Sequence, residues 1–158
     1  YIELPKKLTV KENLIVYARL YNVNKLNDRI DYLVETLNLK NFINQKTGEL
    51  SSGQKNRVSL AKSLINTPSI LLLDEPTASL DPDTGDFVRS FLEKYIKENT
   101  VSILLASHNM NEVKRLCSNV LMMKNGKIID EGTPNQLLKK HGQDNLEEVF
   151  LKLSRNEK

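Results

Sequence analysis

The sequence predicts an α/β fold in which part of a parallel sheet is flanked by helices, with an α-helical subdomain before it and a hairpin plus helices after it. Three observations support this prediction. Two short apolar runs alternate with helical patterns in the order strand, helix, strand, helix, which is typical of parallel strands joined by crossovers. About the first fifty residues show apolar positions at helical spacing only. The pair Asn125-Gly126, between two apolar runs, indicates an antiparallel hairpin.

Composition is that of a soluble globular protein and excludes several other classes. The 158 residues are 39% hydrophobic and 27% charged, which is enough for one domain with a core. The net charge is +3, and acidic residues are interspersed with the lysines, so we expect no nucleic-acid partner. The single cysteine, Cys117, excludes an internal disulfide and lies on an apolar helical stripe, which favours a packed thiol. No apolar run reaches the roughly 18 residues that cross a bilayer, and no signal peptide is visible.

Residues 8–50 form the predicted α-helical subdomain. The segment Thr9–Glu12 has the pattern of a capping box, so a helix is expected over about residues 10–20. A second helix is expected over 26–37, where apolar residues recur at helical spacing. The stretch 45–49 is predicted to be a loop.

Residues 51–158 are predicted to be the C-terminal half of the α/β core. Ser51 has the position of a helix N-cap, and Thr67-Pro68 is expected to end that helix. The largely apolar runs 69–73 and 101–106 predict two strands that are covered on both faces. The further predicted elements are a helix opened by Asp81-Pro82, a short helix through Val113, hairpin strands over 120–123 and 127–129, a helix capped by Thr133 and Gln136, and a last helix over about 146–153.

Two adjacent carboxylates, Asp74 and Glu75, directly follow the first apolar strand. Active sites of open α/β sheets lie beyond the carboxyl ends of the strands, where these side chains would project. Mg²⁺ prefers few protein carboxylates together with waters and phosphate oxygens, which suits Asp74 as a ligand. Glu75 is then placed to polarise an attacking water. The alternative is a strand end followed by a helix cap, and the apolar run before Asp-Glu-Pro-Thr makes that alternative less favoured.

The segment Ser51-Ser52-Gly53-Gln54 opens the third predicted helix. Amides and hydroxyls at a helix N-terminus form an anion site, and glycine permits a phosphate to approach closely. Taken alone, the segment is better explained as a plain N-cap. Its place about twenty residues before Asp74-Glu75 favours the phosphate-binding interpretation.

His108 follows the second apolar strand, so we expect it at the same sheet edge as Asp74 and Glu75. There it would donate a hydrogen bond to a terminal phosphate and help to orient the water and Glu75. His141, at a polar helix end, is predicted to be a surface or internally satisfied histidine. Asp81 either caps its helix or reaches across a subunit boundary, and both alternatives stay open.

A glycine-rich phosphate loop is the part of such a site that these residues do not supply. A nucleotide hydrolase normally carries G-x-x-x-x-G-K-[ST], whose backbone amides and lysine hold the phosphate oxygens. The pattern does not occur in the 158 residues. Since the chain also begins at Tyr1 rather than at a methionine, we expect it to start partway into a longer protein.

Read together, these motifs resemble the nucleotide-binding domain of ABC (ATP-binding cassette) transporters, over nearly the whole chain. Leu50–Gln54 resembles the family signature, usually Leu-Ser-Gly-Gly-Gln, with Ser52 in place of the first glycine. Ile70–Glu75 resembles the Walker B strand, Ser79-Leu80-Asp81 the D-loop, and His108 the switch histidine.

The resemblance implies a P-loop-type sheet, ATP and Mg²⁺ as cofactors, and a head-to-tail homodimer with a second nucleotide-binding domain. In that arrangement the residues acting in trans on the partner's nucleotide would be Ser51, Ser52, Gly53, Gln54 and, from the D-loop, Asp81. The residues acting in cis would be Asp74 on Mg²⁺ and the catalytic pair Glu75 and His108. The Walker A loop, the adenine-stacking aromatic and the Q-loop glutamine are expected before residue 1.

The resemblance also implies a cellular role, that of an ATPase subunit bound to a transmembrane permease on the cytoplasmic, inner face of the cell membrane. Residues 145–150 resemble the tail of exporter-type subunits, so we expect the transporter to be an exporter. The alternatives are a soluble ABC-type ATPase acting in translation or DNA maintenance, and a non-catalytic docking fragment. The isolated chain is expected to be inactive, because the phosphate cradle supplies most of the positioning in phosphoryl transfer.

Overall fold

The computed structural model describes residues 4–78 and 80–155 and confirms the α/β fold class. The helices are α1 (Val10–Leu20), α2 (Leu26–Thr36), α3 (Ser52–Leu64), α4 (Pro82–Glu98), α5 (Met110–Leu116), α6 (Pro134–His141) and α7 (Leu146–Arg155), with short 3-10 turns at Lys40–Phe42 and Thr47–Glu49. The strands are β1 (Ile70–Asp74), β2 (Ser102–Ala106), β3 (Val120–Lys124) and β4 (Lys127–Gly132). Within the described residues no helix is both long enough and apolar enough to cross a membrane.

The chain divides into two compact units that each contain parts of β1 and β2. The first unit comprises Tyr1–Leu72 and Pro76–Leu104, and the second comprises Leu73–Glu75 and Leu105–Lys158. The predicted division into segments 8–50 and 51–158 stays a prediction.

The core of the first unit forms where α1 packs against α2 and α3. Leu14, Leu33 and Leu64, one from each of these helices, are fully buried. The predicted capping box opens α1, since the Thr9 hydroxyl accepts from the Glu12 amide and the Glu12 carboxylate accepts from the Thr9 amide. These local bonds satisfy amides that have no partner inside the helix, which explains why the sequence pattern located the helix start.

The end of α3 differs from the prediction. The helix ends at Leu64, three residues before Thr67-Pro68, and Thr67 adopts a left-handed backbone with φ +47. The Arg29 guanidinium of α2 donates to the carbonyl oxygens of Leu64 (2.5 Å) and Ile65 (3.3 Å). The Thr67 amide also donates to the Leu64 carbonyl (3.1 Å), so a backbone turn and a side chain distant in sequence together supply donors to this helix C-terminus.

Strands β1 and β2 pair in parallel, as predicted. In the first unit the Ser102 amide donates to the Ser69 carbonyl (2.9 Å), and in the second the Glu75 amide donates to the Ala106 carbonyl (2.8 Å). Both pairs advance along the chain in the same direction, which only parallel strands allow.

The prediction that these strands are covered on both faces is wrong for the described residues. Leu71 is 4% exposed, whereas the neighbouring Ile70 and Leu72 are 65% and 70% exposed and Leu104 of β2 is 64% exposed. Successive side chains of a strand point to opposite faces of the sheet. One face therefore packs on the chain's own core, and the described residues place no cover over the other.

The second unit is built on the predicted hairpin. Strands β3 and β4 are antiparallel with an irregularity between Met122 and Met123, and the turn residues Asn125 and Gly126 have φ +51 and +73. Positive φ at both central residues is the backbone that an Asn-Gly pair favours. Side chains of α5, α6 and α7 complete its apolar core, whose buried members are Val113, Val120, Met122, Leu137, Leu146 and Val149.

Cys117 packs against this core. Burial raises the pKa of its thiol, and the Glu112 charge raises it further, as expected of a packed cysteine.

Candidate functional site

Glu75 begins the loop after β1 in an unusual backbone conformation. Its φ is +48, the left-handed region that a non-glycine residue adopts at a cost of about 1 kcal/mol or more. Its amide donates to the Ala106 carbonyl at the end of β2, so the strained residue is anchored to the neighbouring strand. Such strain persists where surrounding bonds over-determine the backbone, and it is common at functional sites.

The structure brings Glu75 and His108 into direct contact. Glu75 Oε1 lies 2.6 Å from His108 Nδ1 and 3.0 Å from the His108 backbone nitrogen. One carboxylate oxygen thus receives both the ring and the backbone of His108, although the two residues are 33 positions apart. A carboxylate can only accept, so Nδ1 carries the proton of this bond. The other ring nitrogen, Nε2, takes no part in the contact with Glu75.

The exposure of the two side chains differs. His108 is 81% exposed and Glu75 31%. The carboxylate is therefore held against the protein, while most of the imidazole ring is accessible. The pair offers a base and an accessible hydrogen-bonding group at the carboxyl ends of two parallel strands, which is where the sequence predicted it.

Asp74 is the last residue of β1 and is exposed. The described residues hold no group of three or more His, Cys, Asp or Glu side chains arranged for a metal ion. Mg²⁺ is usually bound through one or two carboxylates, with waters and phosphate oxygens completing its shell, so a single carboxylate beside a nucleotide is sufficient. Asp74 fits such a role, and its assignment as the Mg²⁺ ligand stays a prediction.

The start of α3 combines a cap with two exposed serines. Ser51 is the N-cap: its hydroxyl accepts from the Gln54 amide (3.2 Å), and Gln54 Oε1 accepts from the Ser51 amide (2.9 Å). The plain-cap interpretation is therefore correct for Ser51, and the Gln54 side chain serves the same cap. Accepting this bond leaves the hydroxyl proton of Ser51 to be donated, so the cap does not oppose an anion at the same helix end.

Gly53 has a packing reason that the sequence did not reveal. It is buried, and a Cβ atom at this position would lie 3.2 Å from Cγ2 of Thr84 in α4. The glycine therefore lets α3 and α4 approach closely, in addition to the predicted close approach of a phosphate.

Asp81 caps α4, as the first of its two predicted roles requires. Its Oδ1 accepts from the Thr84 amide at 3.0 Å, and this bond, with a further one from the Thr84 side chain, lowers the pKa of the Asp81 carboxyl. The role across a subunit boundary stays a prediction. Ser79, which belongs to the same motif, lies outside the described residues.

Sequence reasoning missed two polar contacts near these segments. Asn56 of α3 donates from Nδ2 to the carbonyl of Pro76 at 2.7 Å, a long-range bond without a sequence signal. Glu112 is fully buried and accepts from the Ser107 hydroxyl at 2.6 Å. The spacing Asn109-x-x-Glu112 resembles a capping box and was a usable signal, although that pattern predicts an exposed glutamate.

His141 is an internally satisfied histidine, as predicted. Its Nε2 lies 2.6 Å from Oδ2 of Asp130, while Lys140 Nζ lies 2.6 Å from Oδ1 of the same carboxylate. The Asp130 side chain is 5% exposed, and the Lys140 hydrogen bond, aided by His141, lowers its pKa to about 2. This cluster ties β4 to α6 within the second unit and uses no residue of the predicted site.

Comparisons with known proteins agree with the resemblance. A family model described as ABC transporter matches residues 2–78. The ABC transporter ATP-binding protein NatA of Bacillus subtilis is 33% identical over 92% of this chain and 59% of its own length. The Nod factor export ATP-binding protein I of a Rhizobium species is 34% identical over 93% of this chain and 49% of its own. The methionine import ATP-binding protein MetN 4 of Oceanobacillus iheyensis is 38% identical over 82% of this chain and 38% of its own.

Solved structures show the same fold. The ATP-binding subunit of an ABC transporter superposes with a TM-score of 0.84 at 22% identity, covering 96% of this chain and 64% of that one. A dimeric ATP-binding cassette in a post-hydrolysis state, bound to ADP and Pi, superposes with a TM-score of 0.75 at 27% identity, covering 83% of this chain and 59% of that one. This chain thus spans less than two thirds of each of these curated relatives and solved structures.

Proposed function

We propose that this chain is part of a nucleotide-binding domain of the ABC transporter family and supplies the water-activating half of a site that hydrolyses ATP with Mg²⁺ to power transport. The observation that carries the proposal is the contact between Glu75 and His108 at the ends of two parallel strands. The relatives described above are named as transporter ATP-binding proteins, which favours this function over a role in translation or DNA maintenance and over a docking role.

Glu75 is the proposed general base. A positioned carboxylate that polarises the attacking water contributes about two to four orders of magnitude in rate. His108, held to Glu75 through its Nδ1–H, would donate from Nε2 to the terminal phosphate in the imidazolium form, in which both ring nitrogens carry a proton. The Glu75 carboxylate accepts the proton removed from water. The hydrogen bond between Glu75 and His108 keeps the base and the phosphate-binding histidine in a fixed relative position. Asp74 would hold Mg²⁺, which would neutralise charge on the phosphate oxygens.

The start of α3 and the D-loop are proposed to act on the nucleotide of a partner domain. The supporting observations are the exposed Ser51 and Ser52 at a helix N-terminus, together with the dimeric state of one solved relative. Ser51, Ser52, Gly53 and Gln54 would contact the partner's ATP, and Asp81 would approach it from the start of α4. The proposed partner is a second copy in a head-to-tail homodimer.

The cellular setting is proposed from the family and from the chain's last helix. We place the protein on the cytoplasmic face of the membrane, bound to a transmembrane permease. Residues 145–150, which resemble the tail of exporter-type subunits, support export, although relatives named for export and for import match this chain at 34% and 38% identity. Sequencing the neighbouring genes tests the setting, since a permease gene should encode several apolar spans of about 20 residues.

The isolated 158-residue polypeptide is proposed to have little ATPase activity of its own. No residue of it forms the G-x-x-x-x-G-K-[ST] loop, and losing even one well-placed phosphate donor commonly costs about two to three orders of magnitude in rate. The measurement is phosphate release by the purified chain with Mg²⁺ and ATP. Robust turnover that Glu75→Gln abolishes would contradict this part of the proposal.

The catalytic assignment is tested in an ATP-hydrolysing protein that contains this chain together with a G-x-x-x-x-G-K-[ST] loop. Glu75→Gln, which keeps the size of the side chain and removes its basicity, is expected to lower kcat by about two orders of magnitude or more while ATP binding persists. Glu35→Gln, an exposed carboxylate on α2, is the matched control and should retain activity. A Glu75→Gln variant with turnover within about threefold of the unchanged protein would refute the assignment.

A further inference from the structure

Glu112 is a buried carboxylate that the catalytic proposal does not use. It lies on α5 in the second unit, its exposed fraction is 0%, and it packs within the same unit as Glu75 and His108. Burying an ionisable side chain is costly unless hydrogen bonds compensate. The hydrogen-bond partners of Glu112 therefore indicate which part of the structure it stabilises.

Glu112 closes a ring of hydrogen bonds around the loop that carries His108. The Ser107 hydroxyl donates to Glu112 Oε2 at 2.6 Å, and the Asn109 amide donates to the Ser107 hydroxyl at 3.1 Å. Asn109 Oδ1 in turn accepts from the amides of Glu112 (3.2 Å) and Asn111 (3.1 Å), as the cap of α5. The ring therefore holds the residues on both sides of His108.

Packing restrains the imidazole of His108 little, because its side chain is 81% exposed. Both of its bonds to Glu75, at 3.0 Å from the backbone amide and 2.6 Å from Nδ1, require the 107–109 backbone to keep its present path. A hydrogen-bonded pair of this kind loses its geometry when the supporting backbone shifts by about 1 Å.

We propose that Glu112 is a positioning residue: through Ser107 and Asn109 it holds the His108 loop so that His108 stays in contact with Glu75. The proposed effect of Glu112 on the position of His108 does not depend on what the protein does, whereas an effect of Glu112 on ATP hydrolysis rests on the function proposed above. The competing explanation is that Glu112 only stabilises the second unit, in which case its loss would weaken folding without moving His108 in the molecules that remain folded.

Ring signals of histidine in ¹H–¹³C NMR spectra separate these explanations. The chain has two histidines, and His141→Gln assigns them. Glu75→Gln defines the displacement of the His108 signal when its partner loses its charge. Glu112→Ala removes the acceptor and is expected to move the His108 signal by about half of that displacement or more. Glu112→Gln keeps an oxygen that accepts from Ser107, so its signal should stay near the original position.

The His141 signal is the internal control for folding, because its ring is held by Asp130 in the same unit. It should be unchanged in every variant. Glu147→Ala, an exposed carboxylate on α7, is the matched substitution and should move neither signal. If Glu112→Ala displaces the His141 signal, the unit has unfolded, and Ser107→Ala decides instead, since it breaks the same hydrogen bond without emptying the buried site.

The outcomes are therefore distinct. The proposal is overturned if the His108 signal stays in place in folded Glu112→Ala or in Ser107→Ala, or if Glu112→Gln moves it as far as Glu112→Ala does. In the ATP-hydrolysing protein that contains this chain, Glu112→Ala should lower kcat about tenfold and have no further effect once His108→Ala is present. Absent turnover in the unchanged protein would contradict the proposed function, while the ring spectra would still decide the role of Glu112.

Discussion

Replacing Asp130 by asparagine should destabilise the second unit, and the size of the effect follows from the structure. The Asp130 carboxylate is 5% exposed and is contacted at 2.6 Å by both Lys140 Nζ and His141 Nε2. Its Oδ1 also accepts from the Glu131 amide at 2.8 Å. An asparagine oxygen can still accept that last bond, so the substitution removes the negative charge and replaces the Oδ2 atom that contacts His141.

The magnitude comes from the pKa of Asp130, which its partners lower from 3.8 to about 2. Each pKa unit corresponds to about 1.4 kcal/mol, so the carboxylate contributes at most about 2.5 kcal/mol to stability at pH 7. Lys140 is 61% exposed and is screened by solvent, which places the expected loss at about 1–2 kcal/mol. Because the folded pKa is the lower one, the contribution is present above about pH 4 and is lost as the pH falls toward 2.

Hydrogen exchange measured by mass spectrometry across a urea series reports this unit separately. All five tyrosines of the chain precede residue 105, and it has no tryptophan, so intrinsic fluorescence would not report the second unit. With a urea dependence of about 1 kcal/mol per molar, the midpoint for peptides within 120–155 should fall by about 1–2 M in Asp130→Asn at pH 7. Asp144→Asn, an exposed carboxylate in the same unit, is the control and should shift it little.

The pH dependence supplies the decisive result. The difference between Asp130→Asn and the unchanged chain should shrink to about half its pH 7 value at pH 3, because the Asp130 carboxyl of the unfolded chain, with the ordinary pKa of 3.8, is mostly protonated there while the folded one is still mostly ionised. A difference that is equal at pH 7 and pH 3, or one below a few tenths of a kcal/mol at pH 7, would refute the assignment of this stabilisation to the ionised Asp130.

Three further substitutions test other contacts, each by chemical denaturation followed through the tyrosine signal of the first unit. Gly53→Ala should cost about 1–3 kcal/mol, because its Cβ would meet Thr84 Cγ2 at 3.2 Å, and adding Thr84→Ser, which removes that methyl, should recover most of the loss; no recovery would contradict the packing role of Gly53. Thr67→Gly should stabilise by roughly 1 kcal/mol, since Thr67 has φ +47 and a β-branched residue is strained there; a loss of stability would contradict this account. Arg29→Gln should cost about 1–2 kcal/mol by leaving the Leu64 carbonyl without its charged donor, and an unchanged midpoint would show that water replaces it.

Much of the fold could be predicted because the relevant bonds are local. The caps at Thr9, Ser51 and Thr133 each join residues three positions apart, so they occur as short patterns in the sequence. The Asn125-Gly126 turn was predictable for the same reason, since two adjacent residues set its backbone. These signals located the starts of α1, α3 and α6 and the hairpin without any knowledge of packing.

The contact between Glu75 and His108 was predictable by a different route. The residues are 33 positions apart, and no local pattern joins them. Two apolar runs that form neighbouring parallel strands must end at one sheet edge, so the residues that follow them are brought together. The sequence therefore predicted which side chains meet, and the structure added that Glu75 is strained at φ +48 and that one carboxylate oxygen accepts both bonds from His108.

Spacing, caps and strand ends depend on neighbours along the chain, so the sequence predicted the element order, the helix starts and the residues of the candidate site. Which polar side chains are buried and which apolar ones are exposed could be seen only in the folded molecule. Glu112 is buried beneath the His108 loop, Asp130 is enclosed by α6, and Leu72 is exposed although it looks like a core residue. Burial depends on which elements pack over a side chain, and that is a property of the assembled fold rather than of the residue.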